Sequence, residues 1–534
     1  MKNRLRIVSI ILTWCFLLSI VRIMHIMTEP KYADAEASQS YATVEVAKSR
    51  GTVYDVNMKP LTNTTFGYRA AVVASPEVVT RLSEILDATG FDEIMSILKK
   101  GKPTVVSTKS YFEAEGAYVH EYYDYYSAGT VLSPHMLGYL DSEGHGVCGI
   151  EKAFDDLLFP KGALKVSFCL DARGTALAGI DPIVTGEDEY SVTAGVVTTL
   201  DKTVQQVVEE TAAAMLSKGS VVVLDVGNGE IRASCSVPSF SVTNVGASLG
   251  SDNSPLVNRS LAAYNVGSVF KLCTAAAALD CGISASCEYT CKGYVDIGDT
   301  RYWCNNKTGH GVLDMDGALR RSCNTYFIKL AMDTGAGNVY TTAKSFGFGS
   351  KTELCAGVVG IAGNMPELPE LLSNNGALAN FAFGQGELLA TPLQVASMVA
   401  AISCGGLLTQ PSLIKGTVNR EGDVTAYSTN RTVRVIKKSS AELLKSMMVS
   451  VVTEGTGKNA AVEGVTIGGK TATAETGWYV DGAEITQAWF AGFFPAEAPR
   501  YAVAVLAEGG SSGAASAAPV LAAIVQRLRE KEYI

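Results

Sequence analysis

Three short groups of residues in this 534-residue chain carry side chains suited to acyl chemistry. The first is Ser268-Val269-Phe270-Lys271, a hydroxyl and an amine at helical spacing. On a helix that spacing puts both on one face, and a serine nucleophile needs a base within hydrogen-bond reach. The following run, Leu272-Cys273-Thr274-Ala275-Ala276-Ala277-Ala278-Leu279-Asp280, is alanine-rich and free of proline. It predicts a helix over 269–280, with Gly282 as the C-terminal cap. Ser268 then sits at the first turn, where unpaired N–H groups and the helix dipole favour developing negative charge. Few charges interrupt this helix, which predicts burial. A buried lysine is costly unless it has a partner or a task.

The second group is Ser322-Cys323-Asn324, between two segments of helical pattern, Leu313–Arg321 and Thr325–Met332. A hydroxyl and an amide at a helix–helix turn suit proton shuttling and the holding of a substrate amide. The third is Lys470-Thr471-Ala472, preceded by Gly468-Gly469 inside the predicted strand Val465–Glu475. A lysine and a hydroxyl on a sheet edge could bind a carboxylate, and strand backbone could bind an extended peptide. Each group is weak alone. Ser-x-x-Lys recurs at Ser96–Lys99 and Ser412–Lys415, and Ser-x-Asn at Ser251–Asn253, Ser373–Asn375 and Ser428–Asn430. Lys307-Thr308-Gly309 is a decoy for the third group, in a loop ahead of Ser322.

The positioning elements come from both ends of the second half. Val196–Leu200 reads as a strand, and Asp201 opens an amphipathic helix to Ser217. Ser220–Val226 turns at Gly227-Asn228-Gly229 into Glu230–Ser234, a hairpin signal. Val465–Glu475, Gln487–Phe494 and Arg500–Glu508 read as three further strands, and Pro519 opens a closing helix to about Lys531. Strands at both ends with helices between predict an α+β domain over 191–534, a central antiparallel sheet flanked by helices. Residues 47–190 mix α and β elements without a catalytic constellation and read as a supporting domain. Within them Leu82–Lys100 is predicted as one amphipathic helix, Tyr118–Tyr126 as a half-buried strand and Gly149–Leu158 as a short helix.

The start of the chain is basic at Lys2, Arg4 and Arg6, and then almost wholly apolar from Ile7 to Val21. With Ile23 to Met27 continuing beyond Arg22, residues 7–27 are long enough for a bilayer if Arg22 snorkels. No Ala-x-Ala cleavage site follows promptly, which favours an uncleaved signal-anchor over a signal peptide. The basic tail, 1–6, predicts an inside N-terminus and an outside bulk, and polar residues 28–46 read as a linker. Acidic residues outnumber basic ones, 53 to 44, for a net charge of -9, which argues against nucleic acid as a partner. The twelve cysteines are ambiguous: an exported domain could oxidise one pair, and Cys291 and Cys304, which flank a glycine-bearing loop, are the candidate. No Cys-x-x-Cys spacing occurs and His310 lacks a second histidine, so no metal ligands and no cofactor are expected.

Taken in order, Ser-x-x-Lys on a helix start, Ser-x-Asn at a helix–helix turn and Lys-Thr-x on a strand resemble the motif set of penicillin-binding proteins and serine β-lactamases. The likeness to class B penicillin-binding proteins, the monofunctional peptidoglycan DD-transpeptidases, covers nearly the whole chain. It includes the anchor, Arg50-Gly51…Tyr54-Asp55, Gly149-Ile150-Glu151-Lys152, Asp225…Gly229-Glu230, Asn258-Arg259, His310-Gly311, Gly384-Gln385-Gly386 and Thr391-Pro392-Leu393-Gln394. The resemblance implies a pedestal over 47–190 and a transpeptidase domain over 191–534, with no accessory repeat after it. It implies Ser268 as the nucleophile acylated by a stem peptide and Lys271 as its base. Ser322 would relay the proton, Asn324 would orient Lys271 and the substrate amide, and Lys470 and Thr471 would bind the substrate or β-lactam carboxylate. The N–H groups of Ser268 and Thr473 would form the oxyanion hole. Implied partners are stem peptides, β-lactams, the membrane and a membrane glycosyltransferase of the elongation or division machinery. Ala472 replaces the family's usual glycine, placing a methyl where strand and ligand approach closely, and Val266 replaces a common proline. A quiet scaffold activating a glycosyltransferase, or a β-lactamase or β-lactam sensor, are the alternative readings.

Overall fold

The computed structural model describes residues 2–28, 41–126, 131–171, 177, 179–187, 190–427, 431–480 and 482–534. They fall into two units, one of Met1–Arg50, Asn63–Tyr125 and Pro160–Val192, the other of Gly51–Thr62, Tyr126–Phe159 and Thr193–Ile534.

Within the first unit, helix α1, Lys2–Thr28, is apolar from Arg6 onward at a mean hydropathy of 2.3, long enough to cross a membrane. Strand Tyr41–Lys48 pairs with Ala163–Cys169, which pairs with Ile183–Thr185. It begins inside the linker expected over 28–46, because Tyr41-Ala42-Thr43-Val44-Glu45-Val46 alternates with the period of a strand. Residues 29–40 of that linker and the Ser428–Asn430 match lie outside the described residues. A second sheet sets Thr65–Val72 between Thr104–Thr108 and Ala117–Asp124. The single helix expected over 82–100 is two, Pro76–Ile85 and Ala88–Leu98, since Ser75 caps the first through Val78 N–H and Asp87 caps the second through Gly90 N–H.

Apolar runs build the sheet of the second unit. Gly219–Asp225 (β1) carries Val221-Val222-Val223-Leu224 buried on both faces, and the turn Val226–Glu230, with Gly229 at φ +73°, returns the chain as Ile231–Val237 (β2). Gly468–Val480 (β3), Ala483–Phe494 (β4) and Tyr501–Glu508 (β5) complete it in the order β2-β1-β5-β4-β3, antiparallel throughout. Alternation then sorts side chains between two cores. Val221, Val223, Val503 and Val505 pack with helices Lys202–Met215 (α2) and Ala518–Glu530 (α8). Val222, Leu224, Ala502 and Ala504 pack with Lys271–Asp280 (α3), Asn324–Thr334 (α5), Pro392–Ser403 (α6) and Lys438–Thr453 (α7). Helix α4, Met315–Arg320, precedes α5 and joins the same core through Met315, Ala318 and Leu319. The result is helices, sheet and helices in three layers.

Helix α6 is buried along its whole length. Thr391-Pro392-Leu393-Gln394 opens it with a reciprocal capping box, and Gln394 Nε2 donates to the carbonyls of Gly347, Ser350 and Ala362 at 3.0, 2.9 and 3.2 Å. One side-chain amide thus ties three loop carbonyls to the start of α6.

Two expectations are corrected here. The strand expected over 196–200, Gly195–Thr198, lies outside the central sheet. It pairs in parallel with Thr52–Tyr54 and antiparallel with Ile414–Val418. Residues 51–62 and 126–159 accordingly group with the second unit instead of the supporting domain drawn over 47–190. No local pattern encodes a parallel pairing of strands more than a hundred residues apart.

Candidate active site

The site begins with backbone geometry. Gly267, at φ +58°, turns the chain from Tyr264–Asn265 into a 3-10 turn, Gly267–Phe270, and α3 starts at Lys271. Gly267 N–H donates to Gly384 O at 2.9 Å, and Gly384 has φ +77°. A Cβ on Gly384 would lie 2.1 Å from Gly267 O, so only glycine permits this clasp against the nucleophile turn. At the other end of α3, Gly282 (φ +89°) donates to Leu279 O and Ile283 N–H to Ala278 O, both at 3.0 Å. That is the Schellman arrangement, so the glycine lies one residue past the cap.

Lys271 is wholly buried. Its Nζ lies 2.9 Å from Ser268 Oγ, 2.7 Å from Asn324 Oδ1, and 2.8 and 3.3 Å from Ser322 O and Oγ. Burial pushes its ammonium down to about 8, against the opposing pull of the Cys323 and Cys304 thiols. A lysine so placed can carry the free amine needed to accept a proton near neutral pH.

Ser322 joins α4 to α5. It has φ +52°, uncommon outside glycine, and Ser322 N–H and Cys323 N–H bond back to Leu319 O and Ala318 O at 3.2 and 2.9 Å. A left-handed serine costs of order 1–3 kcal/mol and persists only where its surroundings impose it. Its hydroxyl is aimed at two amines, because Lys470 Nζ donates to Ser322 Oγ at 2.9 Å and to Thr471 O at 2.7 Å. Lys470 is fully buried, and desolvation together with the nearby Lys271 charge holds its ammonium well below the ordinary lysine range. Asn324 opens α5 and donates through Nδ2 to Trp303 O at 3.2 Å.

Strand β3 supplies the rest. Thr471 and Thr473 alternate with Lys470, Ala472 and Ala474; Thr471 Oγ1 meets Thr456 Oγ1 at 2.7 Å and Thr473 Oγ1 accepts from Gly513 N–H at 3.3 Å. Ser268, Ser322, Asn324, Thr471 and Thr473 all line one cleft of ≈ 810 Å³. All seven residues singled out from the sequence therefore line this cleft or bond to those that do: Lys271 and Lys470 reach it through Ser268, Ser322 and Asn324.

Ala472 bears on one expectation. The pleat puts its methyl on the face of Lys470 and Ala474, opposite the threonines. The residue is 3% exposed and packs in the main core with Trp489, its cross-strand partner. Ala472 also lines the cleft, and its methyl lies on the strand face of Lys470, whose Nζ reaches Ser322 Oγ. The decoy lysine, Lys307, also lines the cleft, 5.9 Å from the Trp303 ring. No hydrogen bond joins Lys307 to Ser268, Ser322 or Asn324 among the described residues.

One feature escaped the sequence. Cys291 and Cys304, the candidate pair for a disulfide, are free thiols, and each faces His310 Nδ1, at 3.6 and 3.4 Å. Cys323, the middle residue of the Ser-x-Asn group, lies 3.7 Å from Cys304 Sγ. The four ligand atoms all fall within 4.8 Å of one another, although no metal ligands were expected. They come from a strand end, a hairpin, a loop and a helix start, so no Cys-x-x-Cys signal exists. The only trace in sequence is three cysteines and a histidine within thirty-odd residues.

With the cleft described, likeness to known proteins can be weighed. Residues 219–526 match the model of the penicillin-binding protein transpeptidase domain. The chain is 30% identical to stage V sporulation protein D of Bacillus subtilis over 84% of its own length and 69% of that protein. It is 32% identical to the peptidoglycan D,D-transpeptidase PbpA of Mycobacterium tuberculosis over 59% of its length and 68% of that protein. Among solved structures it resembles the D,D-transpeptidase domain of a peptidoglycan glycosyltransferase from Eggerthella lenta, with a TM-score of 0.65 and 25% identity, covering 91% of this chain and 100% of that one. The fold also matches that of penicillin-binding protein 3 of Mycobacterium tuberculosis complexed with aztreonam, with a TM-score of 0.66 at 23% identity, over 92% of this chain and 98% of that one. Sheet, cleft and motif order together define a penicillin-binding transpeptidase domain. The chain belongs to the class B penicillin-binding proteins.

Proposed function

We propose that this protein cross-links peptidoglycan stem peptides through an acyl-enzyme on Ser268 and is acylated by β-lactams at the same atom. The observation that carries the reading is the shared hydrogen-bond set of Lys271 and Lys470, which joins Ser268, Ser322 and Asn324 in one cleft. Relatives named peptidoglycan D,D-transpeptidases support the substrate class.

In this mechanism Ser268 Oγ bonds to the carbonyl carbon of the penultimate D-alanine while its proton passes to Lys271 Nζ. The C–N bond to the terminal D-alanine then breaks, and the leaving nitrogen takes a proton through Ser322 Oγ, which both lysines contact. Charge on the carbonyl oxygen is met by the N–H groups of Ser268 and Thr473. Lys470 and Thr471 hold the ligand carboxylate, and Asn324 orients Lys271. The amine of a neighbouring stem peptide attacks the ester and restores the serine. Helix α1 anchors the chain with Lys2, Arg4 and Arg6 inside and the cleft outside. The unit holding 63–125 and 160–192 serves as the pedestal, and a membrane glycosyltransferase supplies the glycan strands.

Fluorescent penicillin tests this directly. The full-length protein in detergent should be labelled covalently and stably, and Ser268→Ala should lose the label. Labelling that persists in Ser268→Ala overturns the assignment. Absence of labelling of the wild type, with full complementation by Ser268→Ala in cells, would leave only a scaffold.

A further inference from the structure

We propose that Glu475 makes this cleft selective for stem peptides in which the residue preceding the penultimate D-alanine carries a side-chain ammonium group. The inference deepens the acyl-enzyme reading and rests on it. Its starting point is a charge without a partner. Among the described residues that line the cleft, Glu475 is the only carboxylate. It is exposed, and no ion pair or side-chain hydrogen bond joins it to another residue among those described. Its cross-strand partner, Thr486, is neutral and donates its hydroxyl to Gly510 O at 2.6 Å. Glu484, on the returning strand β4, has a structural task, since it accepts from Gly477 N–H at 2.9 Å and ties the hairpin together. Nothing comparable engages Glu475.

Strand register fixes what Glu475 meets. Thr471, Thr473 and Glu475 alternate along one face of β3, and all three line the cleft. In the acyl-enzyme mechanism Thr471, with Lys470, holds the terminal carboxylate, and Thr473 N–H meets the carbonyl that Ser268 attacks. Those two points set the direction of a bound peptide, which runs from its C-terminus at Thr471 toward Glu475. Strand β3 is an edge of the sheet, so its outer side has no strand partner and suits an extended chain. At about 3.3 Å per residue, Glu475 lies about 7 Å beyond Thr473. The residue before the penultimate D-alanine begins one Cα step away, about 3.8 Å. A side chain of a few methylenes spans the remainder.

Charge along the same line gives a second reason. The cationic groups are Lys470 at the carboxylate end and Lys307, which lines the wall with Trp303 and Asn305. Asn380, Phe383 and Gln385 also line the cleft and bring no charge. A ligand with a carboxylate at Lys470 and an ammonium at Glu475 matches both ends. A neutral side chain in the second position leaves Glu475 to water, and an acidic one is repelled. The selectivity is modest, because an ion pair at an exposed carboxylate is screened and is worth about two- to fivefold in binding. Glu475 is thus a specificity-determining residue that meets the substrate away from the reacting atoms.

The test uses the full-length protein in detergent and two penicillins that differ only in charge. One has an α-acylated lysine coupled to the amino group of the penicillin nucleus, and the other has the same lysine with its side-chain amine acetylated. In both, the lysine stands one residue before the reacting carbonyl. The second-order rate of acylation, read by protection of Ser268 from fluorescent penicillin, should be about two- to fivefold higher for the free amine at low salt. That ratio should fall toward one as ionic strength rises from ~0.01 to ~1 M. Glu475→Gln should bring the ratio to about one, and Glu475→Lys should invert it. A merely structural role would change both rates alike and leave the ratio untouched. A ratio of one in the wild type at low salt overturns the proposal, and so does a wild-type ratio retained in both variants. So does a Glu475→Gln protein that keeps the ratio and slows only the attack of an added amine on the acyl-enzyme, since Glu475 would then serve the acceptor. Failure of the acyl-enzyme reading looks different: neither penicillin acylates the wild type, or Ser268→Ala is still labelled, and both proposals fall together.

Discussion

Replacing Lys470 by methionine removes a buried cation while keeping the length and bulk of the side chain, and it should separate stability from chemistry. Lys470 Nζ donates to Ser322 Oγ at 2.9 Å and to Thr471 O at 2.7 Å, and in the proposed mechanism it also meets the ligand carboxylate. Hydrogen bonds to charged groups contribute about 1.5–3 kcal/mol each. Losing those to Ser322 and to the ligand therefore removes about 3–6 kcal/mol, or about 10²–10⁴-fold in acylation rate. The effect on folding should have the opposite sign or none. A wholly buried lysine with no carboxylate hydrogen-bond partner among the described residues carries a desolvation cost that methionine lacks. The melting temperature of Lys470→Met should consequently stay level or rise. Stopped-flow labelling with fluorescent penicillin gives the rate, and thermal denaturation of the same preparation gives the stability. Lys307→Ala, on the cleft wall, is the control and should keep most of the acylation rate. Wild-type acylation in Lys470→Met with a large loss in Lys307→Ala would refute the placement of the third motif on β3.

Gly384→Ala should be far more damaging than the addition of one methyl group suggests. The new Cβ would lie 2.1 Å from Gly267 O at a φ of +77°. The clasp on the nucleophile turn must open, costing about 1–3 kcal/mol of stability and about tenfold or more in acylation; unchanged values in denaturant unfolding and labelling would discard the clasp. Glu209 gives a pH signature. It accepts from Ser133 N–H at 2.5 Å and Gln205 Nε2 at 2.7 Å, yet burial outweighs these bonds and pushes its carboxyl up to about 7. The unfolded carboxyl titrates near about 4.3. Between the two values the native state holds a proton that the unfolded chain has lost. Stability therefore falls as pH rises through that window, and the penalty is complete above it. Glu209→Gln should flatten the melting profile between pH ~5 and ~8 and be more stable by ~1–3 kcal/mol at the upper end. Parallel profiles for the two proteins would remove Glu209 from the account.

What could be read in advance divides along the range of the interactions. The helix after Ser268, the hairpin at Gly227-Asn228-Gly229 and the strands at 465–508 are encoded by short runs of propensity and alternation. So is the difference in setting between Lys470, in an apolar strand, and Lys307, in a polar loop. Local pattern could not show that Thr52–Tyr54 pairs with Gly195–Thr198, or that the strand at 196–200 leaves the central sheet, because loop closure alone governs such pairings. The direction of the Ala472 methyl is a question of register, which a single strand read alone does not fix. The cysteine cluster is the limiting case. The sequence around Cys323 gives it no role, and Cys291 and Cys304 offer only a candidate disulfide, because sequence neighbours do not show which residues the fold brings together. Only the folding of the 289–313 excursion against the start of α5 brings three sulfurs and an imidazole within 4.8 Å. The same fold buries two lysines that, among the described residues, have no carboxylate acceptor, and that charge problem is visible only after tertiary packing.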